Sequence, residues 1–382
     1  MKYYFIAGEA SGDLHGSNLA KALLLQDNAA SIQGWGGDLM QEAGVTITKH
    51  YGELAFMGFV EVAKNIRTIF KNFKISKEDI AAFKPDTVVL IDYPGFNLRM
   101  AKWAKEAGYK VVYYISPQIW AWKESRIKTI KKYVDEMIVI LPFEKAFYQK
   151  HDYDVHYVGH PLLTLINVFG AKQNRKEVME SLSLKNDKII ALLPGSRKQE
   201  ISMKLPIMLS AAKHFPSYQF VVAKAPGTDD SFYNSMLANH DNVCIVENKT
   251  YQLLSVAVAA LVTSGTATLE AGLFKVPQVI CYKGGKISYE LARRLIRIKY
   301  IGLVNLILDK AVVKELIQDE LNEANIVKEL SLILENGERR AAVLEGYESL
   351  HQMLQTGQDA STLAATIIYN TTLALANKKS ND

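Results

Sequence analysis

Short runs of β-branched and aromatic residues alternate along this chain with longer stretches of helical period, and that alternation constrains the fold more than any other feature. Tyr3–Ala7, Thr87–Asp92, Lys110–Ile115 and Glu136–Ile140 read as strands with helices between them. After Gly159-His160-Pro161 a second series begins, with Lys188–Leu193, Gln219–Ala223, Val243–Val246, Ala259–Thr263 and Gln278–Tyr282. A helix between two strands returns the chain in the same direction, so the strands pair in parallel and helices cover both faces. The pattern predicts an α/β chain of two Rossmann-like, doubly wound parallel sheets. Their strand carboxyl ends, where such sheets bind ligands, would face a cleft.

The length supports this division, because 382 residues exceed what one ordinary core can organise. The boundary is expected near residues 161–172. This gives a first domain over 1–165, completed by C-terminal helices at about 340–376, and a second over 166–339. The stretch from Lys310 onward reads almost wholly as helix, and the C-terminal helices are a candidate surface for a homodimer.

Composition narrows the function classes. A net charge of +5 is too modest to call for a nucleic-acid partner. Cys244 and Cys281 sit singly in apolar runs, without the spacing of a metal site, which suits reduced cysteines in a cytoplasmic protein. No run reaches the ~18 apolar residues of a spanning helix. Met1–Ala7 meets Gly8 and Glu9 too soon for a signal-peptide core, and reads as a first strand.

The chemistry lies at the strand ends. Gly8-Glu9-Ala10-Ser11-Gly12-Asp13 leads from the first strand into a helix and offers free backbone N–H groups to a phosphate or sugar. Ser11 is a candidate catalytic residue there, and Glu9 and Asp13 suit sugar hydroxyls. An ordinary strand-to-helix turn needs similar residues. Asp92 ends the run Val88–Ile91 and precedes Tyr93-Pro94-Gly95-Phe96-Asn97. A carboxylate at that end of a buried strand points toward the ligand crevice, where a general base belongs; a helix-capping aspartate would have the same setting. Ser116-Pro117-Gln118-Ile119-Trp120-Ala121-Trp122 brings two tryptophans to another sheet end, as sugar platforms or as packing.

In the second half, Leu193-Pro194-Gly195-Ser196-Arg197 sets amides and a guanidinium at a helix start, a sound clamp for a diphosphate. Ser264-Gly265-Thr266 does the same after another strand, and Glu270 lies one helical turn beyond Thr266, within reach of ribose hydroxyls. Basic residues concentrate at Lys283, Lys286, Arg293, Arg294, Arg297 and Lys299. Between Lys64 and Lys74, Ile66, Ile69, Phe70 and Phe73 share one helical face, with Arg67, Lys71 and Lys74 on the other. That arrangement describes a helix lying on an anionic membrane surface, although a core-facing helix has the same spacing. Upstream, Phe56 and its neighbours enlarge the apolar area.

The motifs GEASGD, ELAFMGFVEV, IDYPGFN, ISPQIWAWK, VGHPL, LLPGSR and TSGTATLEA occur here in one order. In this the chain resembles the lipid-A-disaccharide synthase family from Met1 to about Gln318. The resemblance implies a GT-B glycosyltransferase of lipid A biosynthesis, needing neither cofactor nor metal. It would transfer 2,3-diacylglucosamine from UDP-2,3-diacylglucosamine to 2,3-diacylglucosamine 1-phosphate at the inner leaflet of a Gram-negative cytoplasmic membrane. It further implies that Asp92 is the catalytic aspartate, that Arg197 and Glu270 lie on the nucleotide side, that Arg294 meets phosphate and that Asn305 orients uridine. The match departs at Val304, where the family has proline, at Asp309, where glycine is usual, and at Asp38, where Gly-Gly-Pro is commoner. Two other readings compete: a UDP-N-acetylglucosamine 2-epimerase, which needs no acceptor, and a non-catalytic nucleotide-sugar module at a membrane surface.

Overall fold

The computed structural model describes residues 1–54, 66–171, 173–225, 227–238, 240–285, 289–290, 293–294, 296 and 298–379. Phe56, Lys286 and Arg297 lie outside the described residues, as do the side chains of Ile66 and Arg67. The chain forms two compact units, one of Met1–Pro161 with Gln355–Asp382 and one of Leu162–Leu354.

Among the described residues the first unit has seven strands: β1 (Lys2–Ala7), β2 (Ser31–Gly36), β3 (Thr46–His50), β4 (Thr87–Ile91), β5 (Lys110–Tyr114), β6 (Glu136–Val139) and β7 (His156–Tyr157). The described residues of the second form six: β8 (Ile189–Leu193), β9 (Gln219–Lys224), β10 (Val243–Glu247), β11 (Ala257–Thr263), β12 (Gln278–Tyr282) and β13 (Lys314–Ile317). The sheet orders are 3-2-1-4-5-6-7 and 10-9-8-11-12-13, with parallel pairing throughout, as in β1 on β4 and β8 on β11. Each order reverses direction between its first strand and the strand three further on. These two switch points, β1/β4 and β8/β11, are where a doubly wound sheet leaves a crevice.

The central strands are apolar because helices cover both their faces. Every residue of β4 and β8 is buried, and burying each large aliphatic side chain contributes roughly 1.5–3 kcal/mol. Below the first sheet, Tyr4, Val88, Leu90, Val111 and Tyr113 share one core with Phe73 and Phe96.

Two expectations change. Lys314–Ile317 is not helix but the edge strand β13, paired with β12 from Val279↔Lys314 onward; its charged first half fits a half-exposed edge. Of the C-terminal helices, Glu338–Leu354 belongs to the second unit, and only Ala360–Lys379 returns to the first. The returning helix buries Ala364, Ala365 and Ile368 completely. Gln26 Nε2 donates to Thr366 Oγ1 at 2.6 Å, and the Thr87 and Thr372 hydroxyls meet at 2.8 Å. That face is therefore occupied by its own chain.

Candidate functional site

At the first switch point β1 runs into the helix Ala10–Gln26 through Gly8 and Glu9. Beside it β4 ends on Asp92, where the backbone takes two successive left-handed steps, φ +47° at Asp92 and +48° at Tyr93. Such steps strain residues with a Cβ by about 1 kcal/mol or more each, so they persist only under constraint. The constraint is visible. The Asp92 N–H donates to Tyr114 O at 3.0 Å, while its carbonyl accepts from Asn97 Nδ2 at 2.8 Å and from the Tyr113 hydroxyl at 2.6 Å. Asn97 Nδ2 is also 3.2 Å from the carbonyls of Ile6 and Ile91, which ties the ends of β1 and β4 together.

With its backbone held this way, the Asp92 carboxyl is partly shielded from solvent. Burial, and then the charge of Glu9, push its pKa up to about 7, against a smaller opposing hydrogen bond from the Tyr93 backbone. A carboxyl that changes charge near neutral pH is well matched to proton transfer. Ser11 lies exposed in the first turn of the neighbouring helix.

Asp13 has another function than binding sugar. Its Oδ1 accepts from the N–H groups of Gly37 and Met40 at 2.7 and 3.1 Å, and Oδ2 from Leu39 at 3.1 Å. It caps the Asp38–Glu42 helix from within the core, as short carboxylates do. Trp120 is held too, its Nε1 donating to the buried Glu144 at 3.2 Å. Trp122 is 38% exposed under the cations of Lys123 and Arg126. The sequence did not single out His15 or His160. Both are buried, and burial lowers their pKa values to about 4 and about 3, His160 being depressed further by His15.

The helix Ile66–Phe83 divides its expected apolar face. Phe73 is buried and stacked on Phe96 at 4.3 Å between ring centroids, and Ile69 packs on the same core. Phe70 remains 65% exposed, with Lys71 and Lys74 exposed beside it. The spacing was largely that of a core helix.

At the second switch point a cleft of about 330 Å³ lies over the ends of β8 and β11. It is lined by Gly195, Ser196 and Arg197 from one turn and by Ser264, Gly265 and Thr266 from the other, with Glu270 behind. Both glycines are required by conformation, with φ +122° at Gly195 and +130° at Gly265. A Cβ on Gly195 would also stand 2.6 Å from Glu200 Oε2, the movable end of a side chain, so the backbone conformation rather than the space calls for glycine there. The helices Lys198–Ser210 and Thr266–Leu273 start at these turns. Arg197 is well exposed, and Ser264 Oγ donates to Ile301 O at 2.8 Å, which leaves its lone pairs free to accept. Glu270 accepts from the Tyr251 hydroxyl at 3.2 Å, and burial raises its pKa.

Two further cleft residues, Glu200 and Lys224, went unnoticed in the sequence. Lys224 ends β9 and bridges Asp230 at 2.5 Å and Glu247 at 3.1 Å. The rule that picked Asp92, a polar residue closing a strand, would have found it. Asn305 is not brought to this cleft. Its side chain is buried and bonded to both backbone groups of Val313 and to Glu315, at 2.8–3.0 Å, so it braces the turn before β13. Arg294 is 76% exposed, with Glu290 at 3.7 Å, and does not line the cleft either. Among the described residues no group of His, Cys, Asp and Glu is placed to hold a metal ion.

A family model described as lipid-A-disaccharide synthetase matches residues 3–368. The chain belongs to the lipid-A-disaccharide synthase family. The lipid-A-disaccharide synthase of Syntrophus aciditrophicus is 40% identical over 373 residues, covering 95% of this chain and 97% of that protein. That of Coxiella burnetii (strain CbuG_Q212) is 40% identical over 367 residues, covering 95% and 96%. Membership makes the chain a glycosyltransferase of lipid A biosynthesis.

Solved structures agree on the fold. A UDP-GlcNAc 2-epimerase from Neisseria meningitidis bound to UDP-GlcNAc superposes with a TM-score of 0.64 at 15% identity, covering 98% of this chain and all of that one. A calicheamicin glycosyltransferase gives 0.60 at 16%, covering 98% of each. Epimerases and transferases therefore share this architecture, and the choice for the synthase family rests on the relatives at 40% identity.

Proposed function

We propose that this lipid-A-disaccharide synthase family member moves 2,3-diacylglucosamine from UDP-2,3-diacylglucosamine to the 6-hydroxyl of 2,3-diacylglucosamine 1-phosphate with inversion. The products are the β-1,6-linked disaccharide 1-phosphate and UDP. The acceptor oxygen forms the new bond to the anomeric carbon as the bond from that carbon to the diphosphate oxygen breaks. The electron pair leaves with UDP, and the acceptor's proton passes to Asp92. The observation that carries this reading is the Asp92 carboxyl at the β1/β4 switch point, with its pKa raised to about 7.

The β8/β11 cleft supplies what the leaving group requires. Arg197 and the helix starts at Ser196 and Ser264 offset the charge that grows on the diphosphate, and Glu270 takes ribose hydroxyls. Ser11 orients the acceptor sugar from its helix start, and Arg294 reaches a phosphate from its exposed position. Asn305 acts indirectly, through the turn it braces.

The acyl chains of both substrates place the reaction at a membrane, the inner leaflet of the cytoplasmic membrane in our reading. No described helix is long and apolar enough to cross one. Exposed Phe70 beside Lys71 and Lys74 supports peripheral docking. The test is UDP release in mixed micelles of both substrates, with and without acceptor and with EDTA. Release that requires acceptor and survives EDTA supports the proposal, and release indifferent to acceptor refutes it.

A further inference from the structure

One cation near the second cleft has no part in the reaction as described. Lys204 projects inward from the helix Lys198–Ser210, between the buried Ile201 and Leu205, with its side chain only 3% exposed. Its Nζ donates to Thr263 Oγ1, lies 3.6 Å from Glu200 Oε2, and would stand 3.5 Å from a Cβ placed on Gly195. Gly195, Glu200 and Thr263 all line the cleft. The ammonium therefore sits behind the cleft wall, bonded to the last residue of β11 before the Ser264 turn and close to Gly195 in the other turn.

Burying a lysine is unfavourable, and desolvation lowers the pKa of Lys204 despite the opposing pull of Glu200. A leucine in this position would continue the inward face of the helix without that cost. The reason for a cation lies in Glu200, a carboxylate in a cleft suited to an anion, whose Oε1 is 3.8 Å from Arg197 Nη1. At an effective dielectric near 20, an uncompensated carboxylate roughly 6 Å from one phosphate charge would weaken binding about 100-fold. It would also compete for the guanidinium that has to meet the phosphate.

We infer that Lys204 is a positioning residue for the donor diphosphate: it neutralises Glu200 from behind, which releases Arg197 to the phosphate, and through Thr263 it fixes the Gly195 turn against the Ser264 turn. The inference rests on the reading of this cleft as a diphosphate site, and names the residue that makes the site's own carboxylate tolerable.

The test is calorimetric binding of UDP and of uridine to the full chain and to Lys204→Met, Glu200→Gln and the double variant. Wild type should bind UDP more tightly than uridine. Lys204→Met should lose at least tenfold in UDP affinity with uridine within twofold of wild type. Glu200→Gln, a surface-facing change that leaves the core intact, should tighten UDP a few-fold, and adding it to Lys204→Met should restore most of the loss. Equal losses for UDP and uridine without rescue, or weaker UDP binding by Glu200→Gln, overturn the inference. A wild-type chain that does not distinguish UDP from uridine overturns the diphosphate reading itself. If wild type distinguishes them and neither single variant changes UDP affinity, only the assignment of Lys204 fails.

Discussion

The ring of Tyr93 lies so close over Gly8 that a Cβ on Gly8 would stand 2.4 Å from its Cδ1 and 2.5 Å from its Cγ. Cγ moves only when χ1 turns, so relieving the contact takes another Tyr93 rotamer or a shift of its left-handed backbone. Gly8→Ala should therefore displace the Asp92-Tyr93 step. Turnover in micelles is expected to fall at least tenfold and stability by ~1–3 kcal/mol, read from urea unfolding. Unchanged turnover would show that the step tolerates movement.

Asp92→Asn should separate activity from stability. As base, Asp92 accounts for a factor of about 10²–10⁴ in kcat, and the wild-type rate should rise with pH through about 7, where its carboxyl ionises. Because the folded pKa is raised, the unfolded chain releases this proton first as pH increases. The group's contribution is thus fully present below the unfolded carboxylate range and lost as pH rises through about 7. At pH 8 the asparagine variant should be more stable by ~2 kcal/mol, allowing for the partial exposure of the side chain. An equally active variant would remove Asp92 from the mechanism.

The buried histidines predict acid sensitivity. His15 has a folded pKa lowered to about 4 from the usual 6.5 by burial, so as pH falls the unfolded chain takes up the proton first. Its contribution is intact above about 6.5 and lost progressively down to about 4, on the order of 3 kcal/mol in all. Urea midpoints measured across that window should fall, and His15→Gln should flatten the fall. An identical slope in the variant would assign the acid sensitivity elsewhere.

Phe70→Glu should weaken sedimentation with anionic vesicles at least several-fold and leave UDP affinity unchanged. It removes an exposed apolar group from between cations and contributes nothing to the core. Vesicle binding equal to wild type would exclude the Ile66–Phe83 helix as the docking element.

The sequence was most legible where strands are buried on both faces. β4, β5, β8 and β11 read as continuous apolar runs because helices cover them, and both glycine turns fall where those strands end. It was least legible at the sheet edges. β7 is two residues long and β13 begins Lys-Glu, and β2, one strand in from the edge strand β3, carries two glycines in six residues. At the sites, residue type was easier to read than partner. Asp13 and Asn305 have the chemistry of ligand-binding residues, and their hydrogen bonds go instead to the backbone of a helix start and of a turn. Lys204 left no signal, because a lysine on an inward helical face interrupts the pattern without announcing what it faces.

The return of Ala360–Lys379 to the first unit makes that unit discontinuous, with residues 162–354 inserted within it. During synthesis all seven strands of the first sheet leave the ribosome long before the helix that covers Thr87 and packs along Ala10–Gln26. The inserted unit can fold as one uninterrupted segment, whereas its host must wait until the segment after residue 354 has been translated. A nonsense mutation in the codons between residues 354 and 360 would thus leave the inserted unit whole and damage the unit that precedes it in the chain.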